Sequence, residues 1–188
     1  LSNPVELGSD LVIGIRPSAV EQILDFPLMP YPCAAYAGAG YLAAHGTPHH
    51  PRELVEHQCL VSLLFGSVWH FFGEGGDFAV TVKPRLSVND AIVLRQAVRH
   101  DLGIALLPCY LAQGDVAAGR LVPLLPGFSP SPLWLKALVP SRKALRPPVQ
   151  ALLDFLRDKL AGAEPGDFAN AEGGDRLRSP HQRHARAP

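Results

Sequence analysis

The chain has 188 residues, of which 47% are hydrophobic, 18% charged and 7% aromatic, a composition that builds one or two compact units and excludes a chain disordered throughout. Lys plus Arg and Asp plus Glu each total 17, so with histidine neutral no global positive field is available to hold phosphate backbones, and stand-alone nucleic-acid binding is disfavoured. The apolar runs stop well short of the ~20 residues that span a bilayer and the first residues lack the pattern of a secretory signal, so the chain as given is expected to be cytoplasmic with no membrane partner.

Residues 10–16 form an apolar run of buried-strand length, ended by Pro17. Residues 31–37 read as a second strand that passes through Gly38 and Gly40 into a short helix over 41–45. Pro51 stands where a first helical turn tolerates proline and carboxylates follow, which predicts another short helix over 50–56. The runs 59–64, 68–72 and 78–83 are rich in β-branched and aromatic residues and separated by Gly-containing loops, so they predict strands. Asn89 or Asp90 caps a helix in which Ala91, Leu94, Ala97 and Val98 recur at helical spacing until Gly103 ends it. Residues 103–107 are then a buried strand stopped by Pro108, and 133–139 a further strand. After Pro147 and Pro148 a last helix carries Val149, Leu152, Leu153, Leu156 and Leu160 as one apolar stripe. Residues 161–188 hold Phe168 and Leu177 as their only large apolar side chains and read as a solvated, disordered tail. Strands alternating with helices argue for an α/β architecture with largely parallel pairing. Cys33, Cys59 and Cys109 include no CxxC pair and sit in apolar runs, which predicts buried free thiols.

The run Gly40-Tyr-Leu-Ala-Ala-His-Gly-Thr-Pro48, followed by Pro51, Leu54, His57, Cys59 and Leu60, resembles the effector-binding domain of LysR-type transcriptional regulators, whose members carry a pattern like YLxxHGxPxxPxxLxxHxCL. Asp10-Leu-Val-Ile is similar to that family's DLAI strand and Trp69-His-Phe71 to its W-x-F element. Ser87-Val-Asn-Asp90, Leu94-Arg95 and Leu102-Gly-Ile-Ala-Leu-Leu-Pro108 are similar to its following helix and strand. Residues 118–126, Val139-Pro-Ser-Arg142 and the closing Asp154-Phe-Leu helix continue the match in order, over about residues 5–160. The resemblance implies two α/β subdomains joined by two crossover strands, like a type 2 periplasmic binding protein, behind an N-terminal helix-turn-helix. On that mapping residues 1–27 are a remnant of the first subdomain, 28–126 form the second, and 127–160 return to the first. The first subdomain is then incomplete and the DNA-binding domain lies outside the chain, which begins with Leu1 and not methionine. Strands 10–16 and 133–139 are expected to have unpaired edges, and Trp69 and Trp134 to be core residues, one in each half.

The resemblance places an effector between the subdomains, where strand C-termini and helix N-termini converge, as the crevice rule for open α/β sheets also requires. Candidate contacts are the Ala37–Gly38 turn, whose N–H groups suit a small anion, then Ser62, Phe65 and Ser67 beyond a strand end, and Asn89 at a helix start. Arg16 can pair with an effector carboxylate, although the family often carries its arginine where this chain has Gly14. Residues 38–43 also fit G-x-G-x-x-G/A, but the acidic residue expected ~20 positions on is not there, which disfavours a nicotinamide site. His45, His49 and His50 have ligand-like spacing that Gly46 and Pro48 break, and no G-x-S-x-G occurs, so neither a metal, a cofactor nor a catalytic residue is assigned. The leading reading is a non-enzymatic sensor of a small organic acid or other metabolite, a homodimer or homotetramer when full length, touching DNA only through its N-terminal domain. A transport solute-binding protein and a nicotinamide-dependent oxidoreductase are the alternatives.

Overall fold

The computed structural model describes residues 8–15, 23–73, 75–140 and 145–160. In chain order the elements are β1 (Val12–Gly14), β2 (Leu24–Pro30), β3 (Cys33–Gly38), α1 (Ala39–His45), a 3-10 turn (Pro51–Glu56), β4 (Cys59–Ser62), β5 (Val68–Gly73) and β6 (Gly76–Thr81). They continue as β7 (Pro84–Val88), α2 (Ala91–Arg99), β8 (Ile104–Pro108), α3 (Cys109–Ala117), β9 (Leu121–Leu124), β10 (Phe128–Pro130), β11 (Trp134–Val139) and α4 (Pro147–Leu160). The tail 161–188 and Arg16 lie outside the described residues.

The described residues form three sheets. One has order β1-β11-β2, a second β10-β5-β6, and a five-stranded sheet has order β7-β4-β8-β3-β9. The chain passes between the first and the five-stranded sheet at Tyr31–Pro32 and returns at 131–133, and the Tyr31 N–H donates to the Leu133 carbonyl at 2.8 Å, tying the two passages together. The expected boundaries at 27/28 and 126/127 therefore fall inside β2 and just before β10, which pairs with β5.

Two expectations about pairing need correction. Only β4 pairs in parallel, with β7 and β8, and every other described pairing is antiparallel. The cause is that β3 arrives from β2 and runs against both β8 and β9, while β5 and β6 form a hairpin. The strand over 133–139 is likewise no edge, because β2 pairs with it opposite β1. Sequence reading passes over β2 because Asp25, Pro27 and Pro30 interrupt its apolar pattern, and an edge strand tolerates prolines that a central one does not.

Strand β8 shows how the apolar runs are spent. Its five residues are all buried, with Ile104 and Leu106 facing the cluster built on Trp69, Phe71 and Val80, and Ala105 and Leu107 facing Leu94, Val98 and Ala112 from α2 and α3. A strand covered on both faces reads as a continuous hydrophobic run, not an alternating one. The third cluster packs Ala137 and Val139 of β11 against Val149 and Leu153 of α4, while Leu152 in the predicted stripe is exposed. Trp69 is a core residue, whereas Trp134 is 42% exposed, a correction: it is the first residue of β11, before the bulge at Leu135/Lys136, and lies outside the cluster that Ala137 and Val139 build with α4. Cys59 is fully buried, and burial pushes its thiol up to about 12. Cys33 and Cys109 are free but only half-buried, the first opening β3 and the second opening α3.

The His57 position acts through Tyr41, which is itself buried. The Gln58 N–H donates to the Tyr41 hydroxyl at 2.9 Å, and that hydroxyl is also hydrogen-bonded to Nδ1 of His57 at 3.2 Å. Burial, and then the neighbouring His45, lower the pKa of His57, which favours its neutral ring. His45 stacks on the Tyr41 ring at 4.4 Å and bonds the Tyr41 carbonyl, which fixes Nδ1 as its protonated nitrogen. Removing the hydroxyl strands the Gln58 N–H, so Tyr41→Phe is expected to cost about 1–3 kcal/mol in urea unfolding, with the slope unchanged.

Candidate functional site

A cavity of about 560 Å³ lies between the three-stranded and the five-stranded sheets. The first sheet contributes Ile13, Gly14 and Ile15 at the end of β1, and Leu135 of β11. The five-stranded side contributes residues 62–65 beyond β4, Asn89, Ala91 and Leu94 at the start of α2, and Leu106 and Pro108 of β8. Tyr31, on the passage between the sheets, closes one side.

Local chemistry sets these positions. Ser62 builds the turn that follows β4: its Oγ accepts from the Leu64 N–H at 3.1 Å, and its carbonyl accepts from the Phe65 and Gly66 N–H groups, each at 3.0 Å. Trp69 anchors the same turn from the core, its Nε1–H donating to the Gly66 carbonyl at 3.1 Å. Asp90 is the N-cap of α2, its Oδ1 accepting from Ile92 and Val93 at 2.7 and 3.1 Å. Asn89, released from capping, lines the cavity instead. The Tyr31 hydroxyl lies 3.4 Å from that of Tyr110, and burial, then that partner, raise its pKa.

Of the residues singled out in the sequence, Ser62, Phe65 and Asn89 come together at this cavity. Ser67 lies beyond the Gly66 turn with its carbonyl bonded to the Val82 N–H. Ala37 and Gly38 lie at the start of α1, and there the anion reading meets a physical obstacle. The Asp101 carboxylate already occupies that turn, with Oδ1 accepting from the Tyr41 N–H at 2.9 Å. A β-carbon on Gly38 or Gly40 would collide with the Asp101 carboxylate, so the G-x-G spacing makes room for a side chain of this chain and not for a pyrophosphate. The same carboxylate removes the basis for a nicotinamide site. Among the three histidines, His45 bonds the Tyr41 carbonyl and His50 Nδ1 accepts from the Arg52 N–H at 3.1 Å. Arg16 follows Ile15 but lies outside the described residues. Tyr31, Ala91, Leu106 and Leu135 were not singled out; the crevice rule pointed to the ends of β4 and β8, while nothing local marks a wall residue contributed by the other sheet.

The family model for the LysR substrate binding domain matches residues 3–161. A probable HTH-type transcriptional regulator, LtrA of Klebsiella pneumoniae, is 30% identical over 175 residues, covering 89% of this chain and 56% of the relative. The HTH-type transcriptional regulator CrgA of Neisseria meningitidis serogroup C is 33% identical over 127 residues, covering 66% of this chain and 42% of that protein. The chain thus spans about half the length of the curated relatives it matches. The solved regulatory domain of CrgA from Neisseria meningitidis superposes with a TM-score of 0.66 at 28% identity, over 83% of this chain and 78% of that one. Full-length AphB of Vibrio cholerae shares the fold, with a TM-score of 0.69 at 24% identity over 85% of this chain and 54% of that one. These relatives are transcriptional regulators, and the two-lobed type 2 periplasmic-binding-protein-like fold is that of their regulatory domains. The chain belongs to the LysR substrate-binding domain family.

Proposed function

We propose that the chain is the effector-sensing portion of a LysR-type regulator, acting by binding a small molecule in the cavity between its two lobes, without catalysis. The observation that carries this reading is that one cavity draws its walls from both sheets, with Ile13 and Leu135 opposite Ser62 and Leu106 beside the tied passages at Tyr31 and Leu133. A ligand touching both walls has differential affinity for the open and closed arrangements, which is the thermodynamic requirement for a switch. In this scheme the two lobes move relative to one another about the passages at 31–32 and 131–133. DNA contact and assembly into a homodimer or homotetramer belong to the longer regulator, acting in the cytoplasm, since the neutral charge of this chain supplies no phosphate grip. Ser62, Phe65 and Asn89, which the sequence singles out and which line the cavity, are the proposed effector contacts.

Thermal unfolding tests it with a fixed panel of aromatic amides, aromatic acids and short dicarboxylic acids. A ligand at a hundred times its Kd stabilises by about 2.7 kcal/mol, a rise of roughly 5–10 °C for a protein of this size. Ala91→Trp, placed where α2 begins on the cavity wall, is expected to abolish the rise while shifting the unliganded midpoint little. A rise equal in both proteins, or none across the panel, counts against the reading.

A further inference from the structure

We infer that the cleft selects a neutral, largely apolar molecule of one or two rings bearing one hydrogen-bonding group, in preference to a small organic acid. This deepens the effector-site reading and rests on it. The walls that meet across the cavity are Ile13 and Leu135 on one side and Leu64, Phe65 and Leu106 on the other. Its polar lining groups are a serine, an asparagine and a tyrosine, and among the described lining residues none is cationic. The positive end of α2, the feature that ordinarily attracts an anion, already holds the Asp90 carboxylate, which accepts the Ile92 and Val93 N–H groups. A ligand carboxylate entering beside it would lose water, gain no described countercharge and approach a like charge.

A neutral acceptor meets the opposite situation. The Ser62 hydroxyl accepts from the Leu64 N–H and so retains its proton for donation, and the Tyr31 hydroxyl stays protonated because burial raises its pKa. A carbonyl or amide oxygen is therefore the group these neighbours can satisfy. The size also fits: a dry apolar cavity of about 150 Å³ accepts benzene, so about 560 Å³ accommodates two fused rings and some water.

The test uses the full 188-residue chain and two probes of one shape, 2-naphthamide and 2-naphthoate, titrated calorimetrically at neutral pH. The amide is expected to bind at least about tenfold more tightly, and Ala91→Trp is expected to abolish its binding. Leu63→Arg, which puts a cation on a lining side chain 57% exposed, is expected to shift the amide-to-naphthoate affinity ratio severalfold toward naphthoate. Naphthoate binding as tightly as the amide, yet lost in Ala91→Trp, overturns the neutral-ligand inference and leaves the effector site standing; loss of that binding in Arg16→Ala identifies the cation responsible. Binding indifferent to Ala91→Trp overturns the effector-site reading itself. If neither probe binds up to millimolar concentration, the inferred ligand class is overturned.

Discussion

Asp115→Ala is expected to lower the stability of the chain by about 3–5 kcal/mol, a large share of the roughly 5–15 kcal/mol that a domain commands. Asp115 is the buried charged residue of α3, fully shielded from solvent, and three guanidinium groups converge on it. Arg95 Nε donates to Oδ2 at 2.6 Å, Arg120 Nε donates to Oδ1 at 2.7 Å, and Arg99 Nε stands 3.4 Å from Oδ1. Two of these arginines come from α2 and one from the loop after α3, so the carboxylate ties α2, α3 and the start of β9 over one face of the five-stranded sheet. Burial by itself raises the Asp115 pKa, but hydrogen bonds from Arg95 and Arg120 and the charges of Arg95 and Arg99 outweigh it, and the net direction is down. The folded carboxyl therefore holds its proton less tightly than the unfolded one. Its contribution is fully present above about pH 4 and is lost as pH falls through the lowered folded value. Urea unfolding from neutral to acid pH is expected to show this loss in the wild type and to show it flattened in Asp115→Asn. Arg120→Ala, at a side chain 49% exposed, should cost only about 0.5–1 kcal/mol because solvent already screens that pair. A cost for Asp115→Ala below about 1 kcal/mol would show that the cluster is not a clamp.

The parts legible from sequence were those whose signal is local. Residues 103–107 had to be a buried strand because four consecutive apolar residues bounded by Gly103 and Pro108 leave few other choices, and α4 follows from a stripe at a pair of prolines. Its boundary chemistry was legible too, since Asp90 caps α2 where an Asn-Asp pair precedes an apolar periodicity. The Asp115 cluster was not, because its acid lies 20 positions from Arg95 in sequence and nothing in the spacing brings them together. Helix α3 itself was missed: apolar and small residues surround it without a stripe, and Gly114 interrupts its middle. For the site, Ser62, Phe65 and Asn89 were reachable because they sit at strand or helix ends on one sheet. The G-x-G turn misled for a long-range reason, since the group it accommodates, Asp101, comes from the end of α2. Asp101 is there because α2 does not end at Gly103. The Asp101 N–H bonds the Val98 carbonyl and the Leu102 N–H bonds the Ala97 carbonyl, with Asp101 in the left-handed region at φ +58°, a Schellman stop built on aspartate.

Gly103, relieved of any capping role, is needed for close approach, and Gly103→Ala is expected to cost about 2–5 kcal/mol. Two effects add. Its φ of +153° is one that L side chains rarely adopt, and a β-carbon there would collide with the Gln58 carbonyl oxygen and lie 3.1 Å from its carbon. That carbonyl cannot retreat freely, because it accepts the Ile104 N–H at 2.9 Å where β4 begins to pair with β8. The neighbouring Gln58 N–H is in turn bonded to Tyr41. Relief of the clash must therefore push apart β4 and β8, the strands whose side chains build the cores on both faces of the sheet, or break the link to α1. Gly114→Ala supplies the control: its β-carbon meets open space in the middle of α3, so the same chemical change should stabilise by about 0.5–1 kcal/mol through helix propensity and reduced unfolded-state freedom. Urea midpoints moving in opposite directions for the two variants are the expected result. A Gly103→Ala protein as stable as the wild type would mean that β8 can shift away from Gln58 without disturbing the layers it joins, and that the two cores are less tightly coupled than their shared strand implies.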